Sequence, residues 1–168
     1  IPVLKSLSEL NKNKLLKPIL WNICGEGAQT NEIKSYIKSL DLTKQVKLIG
    51  KISGDTKLDL IKKCDLFVMP SYKFENSIEG FGISYIEAAA YGVPSIAGIE
   101  GGVGDAVTDL KTGWCVNPLS LDELSDTLKE AINNEKKRRE YGLQAKKRFL
   151  DYFSGEKVFR KFMDTISI

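Results

Sequence analysis

Short apolar runs that stop on glycine or proline alternate along this chain with stretches of helical periodicity, and that alternation limits the fold more than any other feature. The runs are Pro18–Cys24, ended by Gly25; Val46–Ile49, stopped at Gly50; Asp65–Met69, closed by Pro70; Val93–Ala97, followed by Gly98; and Trp114–Val116. Between them lie helical patterns over residues about 2–15 (Leu4, Leu7, Leu10, Leu15), 29–40 (Ile33, Tyr36, Ile37, Leu40), 55–64 (Leu58, Ile61, Cys64) and 83–91. Strands that are apolar along their length are buried on both faces, so the pattern predicts a parallel sheet sandwiched between helices. A Rossmann-like α/β fold is expected, with ligands outside the carboxyl ends of the strands. Beyond Val116 the chain reads as helical, with Leu121, Leu124, Leu128 and Ile132 on one face. Ser154 and Gly155 break it before a last helix carrying Val158, Phe159, Phe162 and Ile166.

The 168 residues suit one domain, and neither an internal repeat nor a linker divides them. A chain opening on Ile1 rather than methionine reads as a piece of a longer protein. Its longest apolar stretches fall far short of the roughly 20 residues a bilayer needs, and no secretory signal is visible. Net charge is only +3, too small an excess for a nucleic-acid binder, so no nucleic acid is expected as a partner. Much of the positive charge lies in Lys136–Arg139 and Lys146–Arg148. That run reads first as a solvated helix face, with Glu135 and Glu140 interleaved, and second as peripheral contact with anionic lipid at the inner face of a membrane.

Three cysteines, Cys24, Cys64 and Cys115, have no metal-ligand spacing and are odd in number. They are expected as buried free thiols in a cytoplasmic protein. Histidine is absent altogether, which removes Ser-His-Asp and Cys-His chemistry and the usual imidazole zinc sites. No metal and no cofactor is expected.

Three loops follow strand ends. Gly25-Glu26-Gly27 lacks the third glycine of a dinucleotide fingerprint and reads as a tight turn. The second, after the polar loop Ser71–Ile78, is richer: Glu79-Gly80-Phe81-Gly82-Ile83-Ser84-Tyr85-Ile86-Glu87. Glycines at 80 and 82 let backbone approach a ligand, and the start of the following helix suits phosphate. Glu87 is expected about 6 Å along that helix, and Glu79 sits ahead of it. Like charge makes neither acid a phosphate ligand, whereas a carboxylate accepts two hydrogen bonds from a sugar diol. A nucleotide sugar presents diphosphate, ribose diol and hexose hydroxyls together. The competing reading has Glu79 capping the helix and Glu87 paired with a surface lysine. The third loop, Gly98–Asp105 with four glycines, suits either a plain turn or a second anion nest.

The run from Phe67 to Pro118 closely resembles the C-terminal, donor-binding domain of family-four retaining glycosyltransferases of the GT-B fold. Its matching pieces are Asp65–Ser71, Glu79–Pro94 with glutamates eight apart, Gly101–Val107 and Thr112–Pro118; Ile19–Lys51 fits the family's earlier strands. The resemblance implies transfer of a sugar from a nucleotide diphosphate donor, with retention, to a glycan or lipid-linked acceptor. It puts Glu87 on the ribose hydroxyls, Glu79 at the donor sugar as the catalytic position, amides of Phe81, Gly82 and Ile83 at sugar and diphosphate, and Gly50, Lys51 and Ile52 at the base. The wording Ile78–Ile83 is similar to mannosyltransferases that build phosphatidylinositol mannosides, which points to GDP-mannose, with UDP-sugars close behind. It also implies that the domain's first strand, a diphosphate-neutralising basic pair at its end, and an N-terminal acceptor domain lie outside this chain, so that the chain alone should not turn over. Two alternatives stay open: a non-catalytic nucleotide-sugar-binding module, and a sugar-nucleotide epimerase. A nicotinamide-dependent oxidoreductase is disfavoured because Thr30 stands where the third fingerprint glycine would be.

Overall fold

The computed structural model describes residues 1–166 apart from Phe74 and Asn76, with Ile166 described by its backbone alone. Phe74 and Asn76, within the expected loop Ser71–Ile78, and the side chain of Ile166 thus lie outside the described residues. Helix α1 (Pro2–Lys12) carries proline in its first turn, where a missing N–H costs no hydrogen bond. It leads to strand β1 (Trp21–Cys24), helix α2 (Thr30–Ser39) and strand β2 (Val46–Gly50), which pairs in parallel with β1. Helix α3 (Gly54–Lys63) is capped by Ser53, whose Oγ accepts the Thr56 N–H. Strands β3 (Phe67–Met69), β4 (Ser95–Ala97) and β5 (Gly113–Cys115) form a second parallel sheet in that order, connected by helices α4 (Ile83–Ala90) and α5 (Val103–Ala106). Helices α6 (Leu121–Asn133) and α7 (Glu135–Arg148), a π-helical turn (Phe149–Phe153) and helix α8 (Gly155–Ile166) complete the described chain. The expected α/β architecture, parallel sheets flanked by helices, is the one observed.

Side-chain alternation divides the core into two layers. On one side Trp21, Ile23, Val46, Leu48, Leu66, Val68, Ile96 and Trp114 meet the apolar faces of α1 and α6. On the other, Phe67, Met69, Ala97 and Cys115 meet Tyr85 and Ile86 of α4, Val103 and Ala106 of α5, and Phe149 and Phe153 of the π-helical turn. Strand β4 is buried at every residue, the polar Ser95 included, as a strand covered on both faces should be. Strands β1 and β2 depart from that expectation: Asn22, Cys24, Lys47 and Ile49 are exposed. The reason is that α3 packs toward α4 and Phe67 rather than across these two strands, leaving their second face open. Cys24 is therefore exposed and not buried as the sequence suggests, whereas Cys64 and Cys115 are half-buried. Burial pushes the Cys115 thiol up to about 11, so it stays protonated and non-nucleophilic at neutral pH.

Between β1 and β3, the facing edges of the two sheets, runs an apolar groove of about 520 Å³. Trp21, Asn22, Leu66 and Val68 form its edges, and Val3 and Leu7 of α1 with Leu128 and Ile132 of α6 contribute to its lining. None of the predicted site residues lines it. No helix among the described residues is long and apolar enough to cross a membrane.

Glu130 ties β5, α6 and α7 together. Its Oε2 accepts the Trp114 indole N–H at 2.8 Å and its Oε1 accepts Lys137 Nζ at 2.6 Å, while the Trp114 ring lies 4.8 Å from that of Tyr141. The Lys137 hydrogen bond, ahead of the Trp114 one, holds the Glu130 carboxyl below its ordinary value of 4.5. A depressed carboxyl binds its proton more weakly folded than unfolded, so its stabilisation is present above pH 4.5 and is lost as pH falls through the folded value. Urea unfolding of the wild type between pH 5 and about 3 should show this loss, and Glu130→Gln should reduce the pH dependence in that window. An unchanged slope in the variant would show that the network carries no pH-dependent stability.

Candidate functional site

Loops at the carboxyl ends of the strands build the candidate site. At the end of β2, Gly50 takes a left-handed conformation (φ 79°) and its carbonyl accepts the Gly25 N–H at 2.8 Å. The Gly25–Gly27 turn is thereby held against Gly50; Lys51 and Ile52 follow, and Ser53 then caps α3. Lys51 is exposed and Ile52 half-buried.

After β3 the chain reaches Gly82, the N-cap of α4, again left-handed at φ 80°. A β-carbon there would fall 2.3 Å from the Tyr85 ring, so this corner requires glycine. No side chain caps α4, which leaves its leading N–H groups without a side-chain acceptor. Tyr85 pins the helix to the strand end. Its hydroxyl donates to the Met69 carbonyl and lies 3.4 Å from Ser71 Oγ, and its ring stands edge-on to Phe67 at 5.9 Å. Burial, with the charge of Glu79 as a lesser contribution, raises the Tyr85 hydroxyl above its ordinary range, so it stays a donor at neutral pH.

The loop after β4 lies against the loop after β3, backbone on backbone. A β-carbon at Gly98 would sit 1.8 Å from the Ser71 carbonyl oxygen, at Gly101 2.1 Å from that of Glu79, and at Gly102 1.9 Å from that of Gly80. The Gly102 N–H also faces the Glu79 carbonyl at 3.3 Å. These glycines are explained by close approach of two chain segments: the third loop clamps the second.

Within that frame Glu79 is half-buried, and its carboxylate makes no hydrogen bond or ion pair among the described residues. It does not cap α4. Gly80 is exposed, and Phe81 turns its ring against Phe153 at 5.7 Å. Ile83 is 70% exposed; Glu87, one turn on, shares its stripe of the helix. Glu87 pairs with a lysine, as one reading of the sequence had it: Lys57 Nζ lies 2.6 Å from its Oε2. Lys57 belongs to the first turns of α3, which continues the loop Gly50–Ile52, so this ion pair joins the two sets of predicted residues. Sequence reasoning did not single out Lys57, because nothing near it in the chain points to a partner thirty positions away. Cys24, at the carboxyl end of β1, is exposed beside Gly25. No group of histidine, cysteine and carboxylate side chains that could hold a metal ion occurs among the described residues.

The family model described as "Glycosyl transferases group 1" matches residues 2–148. An uncharacterized glycosyltransferase of Methanocaldococcus jannaschii is 31% identical over 137 residues, covering 82% of this chain and 37% of that protein. A GDP-mannose-dependent monoacylated alpha-(1-6)-phosphatidylinositol monomannoside mannosyltransferase of Corynebacterium glutamicum is 32% identical over 122 residues, 71% of this chain and 31% of that protein. The chain thus spans about a third of the length of these curated relatives. Among solved structures, HepE of Anabaena in complex with UDP-glucose superposes with a TM-score of 0.81 at 22% identity, over 99% of this chain and 44% of that one. That likeness is one of fold.

The backbone clamp makes a direct expectation. Gly102→Ala and Gly101→Ala each force the two loops apart and should cost about 1–3 kcal/mol, or roughly 2–4 °C of Tm per kcal/mol. Gly104→Ala, where a β-carbon meets nothing within 4 Å, should leave the melting temperature near that of the wild type. Equal melting curves for Gly102→Ala and Gly104→Ala would contradict the clamp.

Proposed function

The chain belongs to the glycosyl transferases group 1 family, and on that footing we propose that it is the nucleotide-sugar-binding domain of a retaining glycosyltransferase of the GT-B fold. The observation that carries the proposal is the backbone from Glu79 to Gly82, held by the glycine clamp at a helix start that no side chain caps. A diphosphate fits there because unpaired N–H groups and the positive end of the helix dipole point at it. Amides around Phe81, Gly82 and Ile83 serve the diphosphate and sugar. Glu87 takes the ribose hydroxyls, Glu79 the hydroxyls of the donor sugar, and Gly50, Lys51 and Ile52 border the base. GDP-mannose is the donor suggested by the wording of Ile78–Ile83 and by the mannosyltransferase relative; UDP-sugars stand next. The acceptor in this reading is a glycan or a lipid-linked glycan.

Catalysis in such a site is largely orientation and stabilisation of charge on the departing diphosphate. Glu79 orients the sugar and offers negative charge to the positive charge that develops at its anomeric carbon. Retention follows if the acceptor approaches from the face that the diphosphate leaves. The parent protein is placed by this reading in the cytoplasm, with the basic stretch Lys136–Arg148 against the inner face of a membrane.

We assign the groove between β1 and β3 to a further parallel strand upstream of α1. Such a strand would use α1 as its crossover to β1, would fuse the two sheets into one, and would bring its carboxyl end to the crevice where strand order reverses. Basic groups at that end, and an acceptor-binding domain before it, complete the site. A full-length protein should therefore protect the amides of β1 and β3 from hydrogen exchange more strongly than residues 1–168 alone; equal protection would remove the strand.

The donor site is tested on the full-length protein by thermal shift with GDP, UDP, ADP and their sugars, since a ligand of the folded state raises stability by RT ln(1 + [L]/Kd). At least one should raise Tm. Glu87→Ala should weaken its binding about ten- to a hundredfold, corresponding to loss of charged hydrogen bonds of about 1.5–3 kcal/mol. Melting curves unmoved by every nucleotide would end the donor reading.

A further inference from the structure

The ion pair between α3 and α4 has a task beyond joining two helices. Glu87 is the described carboxylate with an ion-pair partner in the candidate site, and that partner, Lys57, stands 2.6 Å from Oε2. The Oε2 atom is buried and meets no other hydrogen-bond donor among the described residues. A buried anionic oxygen without compensation is costly, and Lys57 is the cation that faces it. The side chains are 37% and 26% exposed, partly withdrawn from solvent and so screened by salt less than a surface pair. Lys57 is also fixed from behind. Its N–H donates to the Ser53 carbonyl at 2.9 Å, and Ser53 caps the helix that continues the loop Gly50–Ile52.

We propose that Lys57 is a positioning residue of the donor site: its ammonium holds the Glu87 carboxylate by the buried Oε2, so that Oε1, with its two lone pairs, meets a ribose diol. This rests on the donor reading above. The pair also answers an electrostatic difficulty in that reading, since two carboxylates near a diphosphate repel it, and Lys57 neutralises one of them without occupying the whole carboxylate. An ammonium has three donors, so engagement with Oε2 leaves others free when a ligand arrives. Through α3, the same contact links the loop bordering the base to the group that takes the ribose.

A simple helix tie and a positioning role make different demands on the ligand. The test uses the full-length protein and the binding of GDP and UDP beside their 2′,3′-dideoxy counterparts, with donor KM and kcat where turnover is measurable. Lys57→Met should weaken the ribonucleotide about tenfold or more, in line with one lost charge-assisted contact, and raise donor KM more than it lowers kcat. The dideoxy nucleotide should bind the variant as it binds the wild type. Lys57→Arg should restore most of the affinity, and Lys57→Met with Glu87→Gln should be no weaker than Glu87→Gln alone. Should Lys57→Met fold poorly, Lys57→Gln removes the charge while keeping a donor, and the same comparison applies. Equal weakening of ribo- and dideoxynucleotides, or a Lys57→Met protein that binds like the wild type while Glu87→Gln is impaired, overturns the role of Lys57 alone. A Glu87→Gln protein of unchanged affinity overturns the donor reading with it.

Discussion

Contact between two bare backbones organises this molecule's carboxyl edge. Where the loop after β4 crosses the loop after β3, carbonyl oxygens of Ser71, Glu79 and Gly80 occupy space that a β-carbon at Gly98, Gly101 or Gly102 would need. Backbone packed in this way has no rotamers to rearrange, so the segment 79–82 is held more firmly than loop side chains alone would hold it. That firmness is what a site built from main-chain N–H groups requires, since such groups recognise a ligand only if they converge before it arrives.

Tyr85 extends the same constraint into the helix. It is 1% exposed, it donates to Met69 at the end of β3, and its ring forbids a side chain at Gly82. Strand end, helix start and clamped loop are therefore tied to one another. Side chains sit on their rim: Ile83 and Glu87 on the outward stripe of α4, the latter held by Lys57, and Glu79 in the loop ahead. Lys57 connects this group to α3 and through it to the turn at Gly50. The arrangement separates close-packed backbone from the carboxylates at its edge, and the separation follows from where glycine is placed.

What was legible beforehand depended on whether a residue's role is local. The run Val93–Ala97, which holds β4, read correctly as a strand buried on both faces, and the helical spacing of Leu124 and Leu128 in α6 read correctly as core. Strands β1 and β2 were read as buried on both faces, although Asn22 and Lys47 already break their apolar runs. Those polar residues announce an open face, which is why Cys24 is exposed. The glycines of the third loop were ambiguous because their partners, Ser71, Glu79 and Gly80, lie 22 to 27 positions earlier in the chain; close approach leaves no mark beyond the glycine itself. Lys57 is a harder case. Ion-pair partners on different helices obey no spacing rule, so only the packing of α3 on α4 could reveal it.

The division of the sheet bears on how the site coheres. Strands β1 and β2 make no ladder with β3, β4 and β5 among the described residues, yet one hydrophobic layer spans both. Leu4, Leu7 and Leu10 of α1 pack with Leu124, Leu128 and Ala131 of α6, beneath side chains drawn from both sheets. The turn at Gly50 and the clamped loop at Glu79 are consequently coupled by helix packing on one side and by the Lys57–Glu87 pair on the other. Helix packing tolerates small shifts that a continuous hydrogen-bond ladder would resist. A ligand bridging both loops would thus gain from anything that stiffens the seam, and the seam's two free strand edges are where main-chain hydrogen bonds would stiffen it most.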